Sequence, residues 1–295
     1  MRHEFALERE VMHGHFSKDL PPVATIDPGD SIAFPTLNAR WMLGSGEQPF
    51  ERRPELDRGH CLFGPVEVRG ARAGETLVVT TESIRLQSRG VTFMGDEQID
   101  WEIDQEKGTA EGLDGCTIRV APFAGVLGMP PPEEGIHPTR PPRRWGGNID
   151  CKLLVVGSTL YLPIPVDGAL FSAGDVHAAQ GDGEVSGTAV ETACDEVVLG
   201  LDVRRDLELR TPVARTESAW IALGFDADLD TAAEQALDGI LDVIQKVFDV
   251  RRPQALGLAS VAVDLHVSQI VNDVKGVHAV LRDDAVVRAG RTTFA

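Results

Sequence analysis

The chain has 295 residues, 42% hydrophobic and 25% charged, so it is long enough to bury a large core and too apolar to be disordered. Its formal net charge of -18 repels phosphate backbones and anionic lipid, which argues against nucleic acid and membranes as partners. There is no N-terminal signal segment, no apolar stretch long enough to span a bilayer and no Cys-x-x-Cys pair, so we expect a soluble cytoplasmic protein with reduced thiols.

Short β-branched segments separated by glycine- and proline-containing turns predict strands through most of the chain. In chain order these predicted strands span 23–26, 31–34, 64–68, 76–84, 116–120, 152–156, 158–162, 196–203, 207–209 and 220–225. The polar and acidic segment 88–115 predicts a surface hairpin. The Pro- and Gly-rich segment 121–147 predicts a rigid loop laid over the body, because unstructured connections of this length are uncommon.

The hydrophobic period changes only late in the chain. Asp230 or Thr231 is the predicted cap of a helix that runs to Phe248, and Pro253 ends or restarts it. Alternation over 261–267 and the apolar run 277–281 predict two neighbouring strands. The pattern indicates a mainly β (α+β) fold: a β-sandwich or barrel-like body over residues 1–200 that carries the site, and a smaller helix-containing part over 201–295 packed on it, unless the two form one continuous domain.

The segment from Gly174 to Glu184 places three carboxylates, one imidazole and one carboxamide among glycines. On composition alone a solvated turn is the leading interpretation, because Asp and Gly are the commonest turn residues. The flanks favour a site, because 168–173 is small and apolar and 185–190 alternates like a strand, so the polar side chains are expected to point inward. Buried carboxylates cost several kcal/mol unless they are paired or bind a metal.

Metal-assisted chemistry uses the residues that are present. Asp175 and His177 are two apart, so both leave the same face of an extended strand, and both residue types bind Zn²⁺ and similar ions. Asp150 ends a second glycine-rich stretch and is the candidate third ligand. His13 is a further candidate, although it is equally able to bond a backbone carbonyl or lie in solvent. Cys151 lies beside Asp150 and is interpreted as a buried structural thiol, not as a nucleophile.

The remaining polar groups suggest catalytic and substrate-binding roles. Glu184 and Asp182 are candidates for a general base, and Gln180 or Asn148 for a hydrogen-bond donor to a developing oxyanion. Gly181, together with Asn148, is expected to contact the substrate. The chain contains no Gly-x-Ser-x-Gly elbow, no phosphate-binding Gly-x-x-x-x-Gly-Lys-Ser/Thr loop and no His-Glu-x-x-His helix, which disfavours those hydrolase and nucleotide-binding classes.

Three ordered motifs resemble the acetamidase/formamidase family: RRWGGNID at 143–150, GSTLYLP at 157–163 and GALFSAGDVHAAQGDGE at 168–184. Shorter matches extend the resemblance over nearly the whole chain, at His13 and at 21–22, 28–30, 64–66, 122–128, 263–265 and 275–278. Two departures, Ala73-Gly74-Glu75 in place of a usual Pro-Gly-Asp and Ser17 after Phe16, lie away from the central motif.

The resemblance implies a hydrolase that splits the C–N bond of a short aliphatic amide into a carboxylate and ammonia, on a β-rich fold and usually as a homo-oligomer. It also implies a divalent metal, with zinc expected, at Asp150, Asp175 and His177, with Glu184 and His13 close by. The expected partner is therefore a small neutral amide. The alternatives are a cyclic amide (lactam) hydrolase, a β-rich module that binds a metal or small ligand without turnover, and a purely structural staple of carboxylates.

Overall fold

The computed structural model describes residues 1–286, which form many strands and two α-helices. The strands are β1 (Arg2–Glu4), β2 (Met12–His13), β3 (Ala24–Ile26), β4 (Asp30–Thr36), β5 (Leu62–Val68), β6 (Thr76–Met94), β7 (Glu97–Asp104), β8 (Thr109–Gly112), β9 (Cys116–Arg119), β10 (Phe123–Gly128), β11 (Gly146–Asn148), β12 (Thr159–Pro163), β13 (Phe171–His177), β14 (Glu191–Arg204), β15 (Val213–Arg215), β16 (Ala219–Asp226), β17 (Val263–Gln269) and β18 (Lys275–Arg282). The helices are α1 (Leu229–Phe248) and α2 (Arg252–Ala262). The prediction of a mainly β fold is confirmed, because one hydrogen-bonded, mostly antiparallel network links these strands.

The two longest strands, β6 and β14, form the central antiparallel pair of this network. Their register places Leu201 opposite Val79 and Val197 opposite Ile84, and all four side chains are buried. β4 pairs with β14 as well. Because alternate side chains of a strand share one face, this pairing builds a continuous apolar surface, and it supplies the main hydrophobic core.

The C-terminal part packs α1 against β16 and β18 around a second hydrophobic cluster. Ala232, Ala236, Ile240 and Ile244 recur every four residues on the buried face of α1. Gly224 allows the close approach, because a Cβ there would lie 2.0 Å from the Ala232 carbonyl oxygen. The predicted boundary between the two parts, at residue 200, falls within β14. Residues 287–295 of the predicted C-terminal part lie outside the described residues. The two-part domain division stays a prediction.

The helix boundaries differ slightly from the predicted ones. The cap of α1 is Asp228, not Asp230 or Thr231, because the Asp228 carboxylate accepts the Thr231 backbone N–H at 2.9 Å. Pro253 lies in the first turn of α2 and so restarts the helix, where its missing N–H costs nothing. No helix within residues 1–286 is long and apolar enough to cross a membrane.

Several predicted strands and loops were wrong in detail. Segments 152–156 and 207–209 are turns and irregular backbone, and the segment 185–190 is not yet a strand, because β14 begins only at Glu191. The predicted loop 121–147 contains a fully buried strand, β10, whose small and apolar residues show no polar alternation. Segment 88–115 forms the end of β6 with β7 and β8, as the hairpin prediction required.

A buried ion pair fixes the loop that leads into β5. The Asp57 carboxylate accepts hydrogen bonds from the Arg9 guanidinium, from the Arg53 guanidinium at 3.0 Å and from the Arg53 backbone N–H at 2.7 Å. Burial raises the pKa of Asp57, but these bonds and the Arg9 charge outweigh it and hold the pKa below its usual value. The loop carries His60 three residues later, so the ion pair fixes the backbone that leads to that residue.

We predict that Asp57→Asn destabilises the fold by about 3 kcal/mol at pH 7, the usual cost of removing one partner of a buried ion pair. A lowered folded-state pKa contributes stability above the unfolded pKa of about 4 and loses it as pH falls through the folded value. The deficit of the variant should therefore shrink below about pH 4. Urea unfolding at pH 7 and pH 3 measures both values, with exposed Glu55→Gln as the control; a deficit equal at the two pH values would contradict the assignment.

Candidate active site

Three adjacent strands bring the predicted site residues together. β13 ends with Asp175 and His177, and it lies between β10 and β14. The register places His177 opposite Phe123 on β10 and opposite Glu191 on β14. All of these residues are buried. The alternative interpretation of 174–184 as only a solvated turn is therefore wrong for its first four residues, which belong to a buried strand.

His177 Nε2 is the centre of the cluster. It lies 3.6 Å from Asp175 Oδ1 and 3.5 Å from Glu191 Oε1. A second group, formed by Asp150, Glu184 and the same His177, holds its three potential ligand atoms within 4.8 Å of one another, as does the group of Asp175, Glu191 and His177. The His177 imidazole therefore belongs to both groups, and four carboxylic acids lie close to it.

Gln180 determines which nitrogen of His177 faces the carboxylates. The amide nitrogen of Gln180 donates to the Asp150 carbonyl oxygen at 2.9 Å and to the Ser268 carbonyl oxygen at 3.3 Å. Its oxygen must then accept the Nδ1–H of His177, 2.8 Å away. The lone pair of a neutral His177 therefore lies on Nε2 and points toward the acids, which is the tautomer that a metal ligand requires.

Asp150 is delivered by the backbone of β10. The Gly125 carbonyl oxygen accepts the backbone N–H groups of Ile149 at 2.8 Å and of Asp150 at 3.3 Å. A Cβ at Gly125 would lie 2.7 Å from Asp150 Oδ1 and 3.0 Å from His177 Cε1, so any larger residue there would displace one of these side chains. The close packing of Gly125 is what allows the Asp150 carboxylate to reach the cluster.

Several carboxylate oxygens of the cluster have no hydrogen-bond partner although they are fully buried: both oxygens of Asp150, Oδ1 of Asp175 and Oε2 of Glu191. The other Glu191 oxygen accepts the Ala189 backbone N–H at 3.0 Å. A buried acceptor without a donor costs about 1–3 kcal/mol, and more if it is charged. These oxygens, with His177 Nε2, form a donor set of the type that binds Zn²⁺ and related cations.

The shifted pKa values follow from burial and from this crowding. Burial raises the pKa of Asp150 well above its usual range, with a further contribution from the Glu184 charge. It raises the pKa of Glu184 as well, and that of Glu191 to about 8. Burial lowers the pKa of His177, but the neighbouring carboxylates outweigh it and hold that pKa well above its usual value. A single imidazolium does not neutralise four acids, so a cation of higher charge suits the cluster better.

Asp175 behaves differently from the other acids because two imidazoles face it. Burial raises its pKa, but the charges of His60 and His177 outweigh that effect and hold the pKa below its usual value. His60 Nε2 lies 3.8 Å from Asp175 Oδ2, and its Nδ1 lies 2.9 Å from the Thr139 hydroxyl. Asp175 therefore stays ionised, as a metal ligand must.

The sequence reasoning missed two residues of this site, His60 and Glu191. Glu191 is the first residue of β14 and joins the site as the cross-strand partner of His177, a relation that only the sheet register reveals. His60 lies in the loop before β5. The only hint in the sequence was its position two residues before a buried strand. Each belongs to a segment whose local pattern carries no site motif.

The structure does not bring every predicted residue to the cluster. Both ring nitrogens of His13 have protein partners, the His15 carbonyl oxygen at 2.7 Å and the Ser172 hydroxyl at 2.9 Å, so His13 offers no free nitrogen for a metal. Asp182 instead contacts Lys152 and His266. Both hydrogens of the Gln180 amide are used on carbonyl oxygens, which leaves none for an oxyanion.

The two predicted substrate-binding residues lie in different surroundings. Asn148 is buried at the end of β11, and its side-chain oxygen has no hydrogen-bond partner. Gly181 is exposed, and a Cβ there would touch nothing within 4 Å. A cavity of about 640 Å³ reaches the cluster from the side of Glu191, with Asn38, Phe93 and Trp101 also in its wall. It offers space beside one of the acids.

Comparisons with known proteins agree with this architecture. The profile of the Acetamidase/Formamidase family matches residues 1–108 and 131–282. An acetamidase structure from Bacillus halodurans is similar, with 29% identity, a TM-score of 0.82 and coverage of 96% of this chain and 97% of that one. The structure of a predicted acetamidase/formamidase from Thermoanaerobacter tengcongensis has 27% identity, a TM-score of 0.84 and coverage of 96% of both chains.

A curated acetamidase from Mycolicibacterium smegmatis is 23% identical over 62% of this chain and 64% of its own length. The chain spans about three fifths of the length of the curated relatives that it matches. The family match covers most of the chain and includes Asp150, Asp175, His177 and Glu184. The resemblance seen in the sequence is thereby confirmed, and the chain belongs to the Acetamidase/Formamidase family.

Proposed function

We propose that this chain is a metal-dependent amidohydrolase that cleaves the C–N bond of a short aliphatic amide, of the formamide or acetamide class, to a carboxylate and ammonia. Its family membership supports the reaction class. The observation that carries the metal dependence is the set of donor-free buried carboxylate oxygens around His177 Nε2. Homo-oligomerisation and a cytoplasmic location stay predictions.

In this proposal Asp150, Asp175 and His177 hold the cation. His177 shares one group of close donor atoms with Asp150 and Glu184 and another with Asp175 and Glu191, so Glu191 is a further ligand candidate. Zn²⁺ accepts both carboxylate and imidazole donors, so it is the cation we propose for this site. When bound, such a cation supplies a nucleophilic water at neutral pH and polarises the amide carbonyl. Gln180 holds His177 in the required tautomer and is a positioning residue.

Glu184 is the residue best placed to move protons. It is 7% exposed, against 1% for Asp150 and 2% for Asp175 and Glu191, so it is the acid of the cluster nearest to solvent. Burial raises its pKa, which brings the carboxyl closer to the working pH of a general base. We infer that Glu184 takes a proton from the attacking water and passes it to the leaving nitrogen.

Removal of the metal should abolish turnover and lower stability together. We expect the chelator-treated chain to release no ammonia from formamide or acetamide and to regain activity with Zn²⁺. At a metal concentration 100-fold above Kd, binding stabilises the fold by about 2.7 kcal/mol, so Tm should rise on reloading. Elemental analysis, thermal unfolding and an ammonia assay measure the three quantities, and a lactam in the substrate panel separates the cyclic alternative.

The outcomes of that experiment distinguish the alternatives. If the zinc-loaded chain releases no ammonia from any linear amide or lactam, the amidohydrolase proposal is wrong and the alternative of a metal-binding module without turnover remains. A chain that turns over amides without retaining any metal would overturn the metal dependence and keep the reaction.

The Glu184→Gln substitution separates proton transfer from metal binding. We expect kcat to fall about 10²- to 10⁴-fold with little change in KM and with full metal content, because the amide side chain cannot accept the proton. The control is Glu97→Gln on the exposed face of β7, which should behave as wild type. Loss of metal from Glu184→Gln would instead make this residue a ligand.

Gly125→Ala should weaken the metal site without replacing any of its ligands. The added methyl group would push against Asp150 Oδ1 and His177 Cε1, so we expect metal affinity to fall about 10-fold or more. Gly257→Ala in α2 is the matched control, since a Cβ there meets nothing within 4 Å. Competition with a chromophoric chelator gives the two affinities, and equal values would show that Asp150 does not hold the cation.

A further inference from the structure

A second cluster of potential metal ligands lies where the loop that carries Glu184 meets strands β17 and β18. Its members are Asp182, His266 and His278, and their potential ligand atoms lie within 4.8 Å of one another. His266 on β17 is the direct cross-strand partner of His278 on β18. Gly183 forms a parallel bridge with Gln269 of β17, which holds the neighbouring Asp182 close to the two imidazoles.

The cluster is built from groups of the right type and separation. His266 Nδ1 lies 3.5 Å from Asp182 Oδ2. The two imidazole rings stack with their centroids 5.1 Å apart. Two histidines and one carboxylate leave a fourth position open, which is the donor set of many zinc sites.

His278 carries an independent sign that a ligand is missing. The side chain is fully buried, its Nδ1 is bonded to the Ser268 hydroxyl at 2.8 Å, and its Nε2 has no hydrogen-bond partner. Buried polar nitrogens are nearly always paired, and an unpaired one calls for an explanation. The bond at Nδ1 is also the kind of outer contact that orients a metal-bound histidine.

Lys152 currently neutralises the carboxylate of this cluster. Its Nζ lies 3.0 Å from Asp182 Oδ2, and about a third of its side chain is exposed, so it is free to swing into solvent. The near-parallel imidazole rings would have to tilt for both planes to contain one ion. His266 is the ring that can do so, because its side chain is 42% exposed.

We propose that Asp182, His266 and His278 form a second transition-metal site, separate from the one at His177, which binds Zn²⁺ and clamps the Glu184 loop to β17 and β18. The backbone of that loop already bonds the same strand, since the Gly183 N–H donates to the Ser268 carbonyl oxygen at 3.0 Å. The site competes with Lys152 for Asp182. The inference does not depend on the proposed function, because none of its three ligands belongs to the first cluster.

The test uses the full chain with the His177→Asn substitution, which removes the shared ligand of the first cluster. We expect this variant still to bind about one Zn²⁺ by isothermal titration and elemental analysis. Adding His266→Asn should weaken that binding at least about 10-fold, since even the loss of an outer partner of a metal ligand costs 10- to 100-fold. Adding Lys152→Met should tighten it by about 10-fold, because a competing cation is gone.

The control is His137→Asn, a histidine outside both clusters, which should leave zinc affinity unchanged. Thermal unfolding verifies that each variant folds. If His177→Asn does not fold, the same substitutions are made in the wild-type chain, where His266→Asn should lower zinc from about two ions per chain to one. Zinc affinity unchanged by His266→Asn would overturn the second site, whereas zinc content unchanged by His177→Asn alone would count only against the first.

Discussion

Repulsion among buried carboxylates is the constraint on which the rest of this site depends. Asp150, Asp175, Glu184 and Glu191 share the space around one imidazole, and all four are buried away from bulk solvent. Removing each charge from water costs several kcal/mol, and a charge of the same sign nearby adds to that cost. A bound multivalent cation would reverse the sign of this balance, because carboxylate oxygens that lack a hydrogen-bond donor are available as ligands.

The backbone around the site is strained in a way that serves the same arrangement. Asp150, Asp175 and Glu184 all have left-handed conformations, with φ values of 48°, 54° and 45°. Non-glycine residues avoid this region, and each such residue costs about 1–3 kcal/mol. Three acids of one cluster share this unfavourable backbone conformation. We infer that the conformation is kept because it directs the three carboxylates into the site, although it costs stability.

Sequence reasoning located the part of the site that is local in the chain. Asp175, His177 and Glu184 share one polar, glycine-containing segment, and Asp150 ends another. Glu191 and His60 were out of reach, because their roles come from cross-strand pairing and from a loop fixed by Asp57. Asp182 shows a related limit: only Gly183 separates it from Glu184, yet its carboxylate contacts Lys152 and His266, because neighbours in an irregular loop can face opposite sides.

The same distinction between local and long-range information applies to the fold. Strand composition and the 3.6-residue period of α1 were enough for a mainly β chain with a late helix. The buried strand β10 escaped notice, because Phe123–Gly128 lacks alternation and lies between Pro-rich segments. β10 contains Gly125, whose carbonyl oxygen accepts the Asp150 backbone N–H. A segment without a strand pattern therefore makes the close contact that positions Asp150.

The loop from Gln180 to Glu184 links the site to the C-terminal part of the chain. Gln180 spans His177, the Asp150 carbonyl and the Ser268 carbonyl, so one carboxamide joins the candidate metal ligands to β17. Gly183 is bonded to the same strand. The loop is therefore held from both sides, and the position of Glu184 depends on how residues 263–282 pack. Substitutions in that hairpin should then act on the site through the loop, although none of its side chains belongs to the first cluster.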